Sequence, residues 1–218
     1  MNEEEVLIKY IKEKYSQLED ERKSIGDKSN IKRYTMPTMS QYVENAVAIL
    51  INQILEKNSK EKYNYYIDPQ LSVEGKLYRP DIIIYDNNNV IHGIVEVKSQ
   101  LGYVNIDQTA QTYKEKIDRI KKVGENGTIS VKKIEEDFSV SKKCKDMIVI
   151  LMSANSHGKI KEGEIKGFED INYFILFDET EKKKDQELWY NSIEDYLNIY
   201  PKRKHTYTKF VEFLKKNF

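Results

Sequence analysis

Asp81, Glu96 and Lys98 are the residues of this 218-residue chain whose types and spacing could do chemistry. They stand in two apolar runs, Arg79-Pro80-Asp81-Ile82-Ile83-Ile84-Tyr85 and Val90-Ile91-His92-Gly93-Ile94-Val95-Glu96-Val97-Lys98, separated by polar Asn87, Asn88 and Asn89. Residues two apart on a strand share a face, so Glu96 and Lys98 project together while Val95 and Val97 point the other way. If the runs pair as a hairpin closed by two residues at Asn88 and Asn89, where Asn tolerates positive φ, Asp81 falls opposite Glu96. Their Cβ atoms would then lie roughly 4.5–5.5 Å apart. A longer loop or a bulge shifts that register by a residue or two and still leaves the pair close.

Two adjacent carboxylates repel unless a proton or a cation intervenes, and hard oxygen ligands suit Mg²⁺, for which Mn²⁺ can substitute. A metal held there can stabilise charge developing on a phosphodiester and lower the pKa of an attacking water. A neighbouring lysine can orient that water. Each residue alone has an ordinary reading: Asp81 as a turn residue after Pro80, Glu96 and Lys98 as an exposed strand face. Their combination decides, because a run such as Ile94-Val95-Glu96-Val97 belongs in an interior where unpaired charge is costly.

The elements that must position these groups follow from hydrophobic periodicity. Val6, Leu7, Tyr10, Ile11, Tyr15 and Leu18 predict a helix over Glu3 to Arg22. Gly26, Asp27, Ser29, Asn30 and Pro37 mark a loop, and a strongly apolar helix runs from Thr38 or Ser40 to about Lys57. Strands are expected at Tyr63 to Asp68, Asp81 to Asp86 and Val90 to Lys98, forming a meander. A crossover helix follows over Asn105 to Val123, then buried strands at Asp146 to Ser153 and Ile171 to Asp178, an exposed loop at Gly158 to Gly167, and closing helices at Ser192 to Tyr200 and Thr206 to Asn217. The fold class is α/β with a central mixed β-sheet flanked by helices, and residues 1–218 are expected to form a single domain.

The residues Pro80-Asp81 and Glu96-Val97-Lys98 resemble the two motifs of the PD-(D/E)XK nuclease superfamily, most closely its small type II restriction endonucleases. The core order of that family, a helix, a three-stranded meander, a helix and another strand, is similar to the stretch from Ser40 to Ser153. The resemblance implies a restriction-endonuclease-like core, Asp81 and Glu96 as Mg²⁺ ligands, the Val97 carbonyl as a further ligand, and Lys98 as the residue that positions or activates water. Family members often add an acidic residue from the helix before the sheet, and Glu44 matches, although it also suits the solvated edge of an amphipathic helix. Gln108 or Gln111 could supply a helical glutamine after the motif, but their spacing departs from the pattern of the RecB-like branch. The partner implied is double-stranded DNA, cut by a homodimer with one metal centre per strand. A structure- or end-specific nuclease of repair, recombination or phage defence would share the centre, and a non-catalytic nucleic-acid binding module would share the fold.

Composition limits the rest. The 36 Lys and Arg balance 36 Asp and Glu, so any nucleic-acid surface must be local. The most basic segment is the last one, where Lys202, Arg203 and Lys204 flank His205 and could contact phosphates. With one cysteine, Cys144, there is no disulfide and no zinc signature, and a cytoplasmic location fits. No apolar run approaches the roughly 18 residues that span a bilayer, so no membrane partner is expected. His92, four residues from Glu96, and His157, in a loop, are assigned no role, and the 16 Tyr are read as packing residues.

Overall fold

The computed structural model describes residues 9, 10, 13, 14, 17, 39–100, 106–132, 136–152, 154, 155, 158, 159, 171–177 and 204–218. Three helices are fully described: α1 (Met39–Asn58), α2 (Ile106–Asn126) and α3 (Lys204–Asn217). Residues 9, 10, 13, 14 and 17 are helical, in keeping with the expected first helix. The strands are β1 (Asn64–Ile67), β2 (Leu71–Val73), β3 (Lys76–Tyr78), β4 (Ile82–Tyr85), β5 (Val90–Gln100), β6 (Ile129–Val131), β7 (Glu136–Met152), β8 (Ala154–Asn155), β9 (Gly158–Lys159) and β10 (Tyr173–Phe177). The expected helix at Ser192 to Tyr200, together with Lys202, Arg203 and His157, lies outside the described residues.

Eight strands join in one mixed sheet. β1, β4 and β5 are antiparallel neighbours, as the meander requires, while β5 and β7 run parallel and β10 adds a parallel strand on β7. The long β7 bends from one partner to another: its first residues pair with β6, and β6 pairs in turn with β2 and β3. Three expectations need correction here. The strand expected from Asp146 starts ten residues earlier, at Glu136. Gly158 and Lys159, expected in a loop, pair with Ala154 and Asn155. The segment between Asp68 and Asp81, for which no element is expected, holds the β2–β3 hairpin, whose Glu74-Gly75 turn has φ of 49° and 76°. Positive φ at both central residues is the type I′ geometry that matches strand twist. Strands of three residues give alternation too little length to register.

Burial sorts the sheet into two faces. Ile82, Ile84, Val95, Val97, Met147 and Val149 pack under α1 and α3, among Val47, Leu50, Ile51, Phe210 and Leu214. Ile83, Ile94, Ile148 and Ile150 face the other way, onto Tyr113, Ile117 and Ile120 of α2. Even and odd positions thus serve opposite layers, giving helices on both faces of a sheet whose central strands are continuously apolar. No described helix is long and apolar enough to cross a membrane.

The hairpin carrying the candidate site reaches the expected register by an unexpected route. Asp86 N–H donates to Val90 O, and Asn89, at φ 57°, returns its N–H to Asp86 O, so the loop holds three residues, Asn87 to Asn89. A three-residue loop offsets the pairing by one from the two-residue loop expected, and Tyr85 pairs with Ile91 accordingly. A bulge at His92 then removes the offset, so that Ile84 pairs with Gly93, Ile83 with Ile94 and Ile82 with Val95. One step further lie Asp81 and Glu96.

Candidate active site

Asp81 stands just before β4 begins, where the ladder with β5 runs out. Its Oδ2 accepts a hydrogen bond of 2.6 Å from the backbone N–H of Val97. On the other side its carbonyl accepts the N–H of Asp68 at 2.8 Å, so one hydrogen bond from each side, just beyond the two ladders of β4, fixes it. A strand residue sends its N–H and C=O toward the same neighbour. The Val97 carbonyl therefore faces the edge where Asp81 sits, while the Val97 side chain is buried under α1.

Glu96 and Lys98 share a face as their spacing requires, with Lys98 Nζ 2.7 Å from Glu96 Oε1. A residue that the sequence did not single out completes the arrangement. Lys116, from α2, donates to Glu96 Oε2 at 3.2 Å and to the Arg79 carbonyl at 2.7 Å. Its side chain is 18% exposed and that of Glu96 16%, so both charges are largely removed from water, where an unpaired charge is costly. Lys116 lies on the shoulder of the buried helical stripe, beside Tyr113 and Ile117. Periodicity could have marked it as half-buried, but which turn of α2 covers Glu96 is a tertiary fact with no local signal.

Glu44 reaches the same end of the sheet from the opposite layer. Burial first, then the carboxylates of Asp81 and Asp68, push its pKa from 4.5 up to about 7, with Glu96 adding to the rise and Lys98 opposing it. Asp81 is raised from 3.8 to about 6 by burial and then by Glu96, against the Val97 N–H and the two lysines, Lys98 and Lys116. Two carboxyls held above their ordinary range within one field are groups that a cation would relax. Glu44, Asp81, Glu96 and Lys98, the four residues singled out for catalysis, therefore share one electrostatic field. Asp68, which was not singled out, adds a further negative charge at φ 52° on the end of β1.

The remaining candidates lie elsewhere. Gln111 is exposed on α2 and donates to Glu115. His92 sits at the bulge, its Nε2 3.1 Å from Asp86 Oδ2 and its ring edge-on to Tyr63. Burial would raise Asp86, but His92 and the N–H groups of Val90 and Asn88 outweigh it and hold that carboxyl below its ordinary value. This network closes the hairpin turn at the opposite end of β5 from Glu96. Cys144 is buried, which pushes its thiol up to about 12 and leaves it unreactive.

The donor chemistry of the site fits a hard divalent cation. Its acceptors are carboxylate and carbonyl oxygens, and Mg²⁺ takes one or two protein carboxylates and leaves its other positions to water and phosphate. Among the described residues no three His, Cys, Asp or Glu side chains already converge as a metal cage. That agrees with the hydrogen bonds, since both oxygens of Glu96 are engaged by ammonium groups.

No protein-family model matches the chain, and no curated protein matches it. Among solved structures, that of P. aeruginosa ATCC27853 NucC in its cAAA-bound form overlays on 98% of this chain and 90% of that one, with a TM-score of 0.47 and 10% sequence identity. A likeness of that degree is too weak to carry function from one protein to the other.

Proposed function

We propose that the chain is a Mg²⁺-dependent DNA endonuclease that hydrolyses phosphodiester bonds at the Asp81, Glu96 and Lys98 centre. The observation that carries the reading is the convergence of a strand-end carboxylate with a carboxylate and lysine two residues apart, Lys98 Nζ standing 2.7 Å from Glu96 Oε1. Asp81, Glu96 and the Val97 carbonyl would hold the metal, and Glu44 would add charge from the helix side. A bound Mg²⁺ would supply Lewis acidity toward a phosphate oxygen and acidify a water. Lys98 orients that water by donating a hydrogen bond and neutralises charge as it develops on the phosphate. Lys98 cannot serve as the only counter-charge of Glu96, because Lys116 shares that task, and it is correspondingly free to turn toward substrate.

The reading extends to a type II restriction enzyme acting on double-stranded DNA as a homodimer. It is supported by a balanced net charge, 36 cations against 36 anions, which suits selective over indiscriminate binding. Incubation with supercoiled and linear plasmids plus Mg²⁺ tests it. Discrete fragments from both substrates, lost with EDTA and with Glu96→Ala, are expected. Digestion that begins only at ends would remove the restriction role and keep the nuclease, and no cleavage with Mg²⁺ or Mn²⁺ of any DNA offered would remove both.

A further inference from the structure

We infer that Lys116 is a resident counter-ion that occupies Glu96 in the metal-free protein and competes with a divalent cation for it. The inference rests on the metal reading of Asp81 and Glu96. Lys116 Nζ has two acceptors, Glu96 Oε2 on β5 at 3.2 Å and the Arg79 carbonyl, between β3 and β4, at 2.7 Å. Of the two, the shorter bond goes to the main chain, in the corner that leads into Asp81. When Glu96 turns an oxygen toward a metal, the ammonium keeps the carbonyl as its partner and is not stranded. Loss of the Glu96 contact is therefore tolerable for Lys116, whereas loss of every cation would not be tolerable for Glu96.

The position also explains why two lysines meet one carboxylate. Lys98 holds Oε1 and Lys116 holds Oε2, so the Glu96 carboxylate is saturated with positive charge before any metal arrives. Lys116 is also among the charges that lower Asp81. A dication approaching this pair meets an ammonium in a half-buried setting, where charges a few ångströms apart are less screened than in water. Added negative charge from a nucleic-acid phosphate would tip the balance toward the metal. Divalent-ion occupancy would thus be kept low until substrate is present.

The test separates competition from support, because the two roles move metal affinity in opposite directions. Mn²⁺ binding to the full chain without DNA is measured by the loss of free Mn²⁺ signal in electron paramagnetic resonance, for the parent, Lys116→Met and Lys116→Gln. Competition predicts that both variants bind Mn²⁺ at least about tenfold more tightly than the parent, and that added Mn²⁺ raises their melting temperature more than it raises the parent's. Lys116→Arg, which keeps the charge, should stay near the parent. Weaker or unchanged Mn²⁺ binding in both neutral variants would overturn the competitor role while leaving the metal reading intact. A site at which neither the parent nor any variant takes up Mn²⁺ would overturn the metal reading and this inference together. A neutral variant that melts early without metal and is restored by Mn²⁺ is a supporting result, and one that stays unfolded with saturating Mn²⁺ counts against it.

Discussion

Val97 donates its backbone N–H to Asp81 Oδ2 at 2.6 Å, so the strand that bears Glu96 and Lys98 also orients the carboxylate across from them. The two halves of the site are thereby coupled through one hydrogen bond at the point where the β4 and β5 ladder ends. A carboxylate that accepts a peptide N–H is constrained in rotation without being neutralised, which leaves its other oxygen to face a ligand.

Asp81→Asn should separate the structural and the electrostatic parts of that bond. The amide oxygen still accepts from Val97, so the melting temperature should change little, whereas Mn²⁺ binding should fall by at least about tenfold because a ligand charge is gone. Asp81→Leu leaves the Val97 N–H unsatisfied and should lose about 1–3 kcal/mol of stability. Calorimetric titration and thermal melts distinguish the two variants, and equal Mn²⁺ affinity in Asp81→Asn and the parent would take Asp81 out of the ligand set.

Lys98→Ala should fold and bind DNA within a few-fold of the parent, yet cut at least about a hundredfold more slowly in single turnover. Lys98→Arg should recover little, since a planar guanidinium cannot replace a compact ammonium beside a bound water. Cleavage by Lys98→Ala at the parent's rate would reduce Glu96-Val97-Lys98 to an ordinary charged strand end.

Glu44 makes stability pH-dependent in a stated direction. Its pKa in the folded protein, about 7, exceeds its ordinary 4.5, so the native state holds the proton over a window in which the unfolded chain has released it. Native stability in EDTA should therefore fall as pH rises from about 4.5 to about 7, and level off above. Glu44→Gln should flatten that part of the profile. Divalent-ion binding should strengthen over the same rise in pH, because ligands must lose protons to bind. Melts between pH 5 and 8 with and without Mn²⁺ check both slopes, and a Glu44→Gln profile parallel to the parent's would contradict the assignment.

Gly93→Ala should destabilise by about 1–3 kcal/mol through overpacking. A Cβ at Gly93 would lie 2.8 Å from Phe218 Cζ and 3.0 Å from Ile84 Cδ1. Phe218 is not free to withdraw, since its ring stacks edge-on to Tyr63 and its carbonyl accepts hydroxyl hydrogen bonds from Ser59 and Tyr63. The double variant Gly93→Ala with Phe218→Leu should regain part of the loss in a denaturant melt. No loss in the single variant would show that the α3 end shifts easily.

The central strands and their facing were legible because alternation and continuous apolar runs record burial directly: Ile82 to Tyr85 and Val90 to Lys98 are strands, with Glu96 and Lys98 on one face. The juxtaposition of Asp81 with Glu96 was also reached, but the loop length assumed was one residue short and the bulge at His92 was not foreseen. Neither feature has a hydrophobic signature. Lys116 was beyond sequence reasoning for a different reason, since it depends on how α2 is rotated and translated over the sheet. The β2 and β3 hairpin was lost to brevity, although Glu74-Gly75 between Val73 and Lys76 carries a recognisable turn dipeptide.

The turn at Asn87 to Asn89 and the bulge at His92 together give the hairpin a genetic property. Deleting His92 removes the residue that the bulge accommodates and leaves Tyr85 opposite Ile91 and Ile84 opposite Gly93, so Glu96 and Lys98 should keep their face. Deleting one asparagine shortens the loop between Asp86 and Val90 to two residues and should likewise leave the strand in register. Single-residue deletions at these two places should therefore be tolerated, whereas a deletion between Gly93 and Glu96 would turn Glu96 and Lys98 to the other face of the sheet.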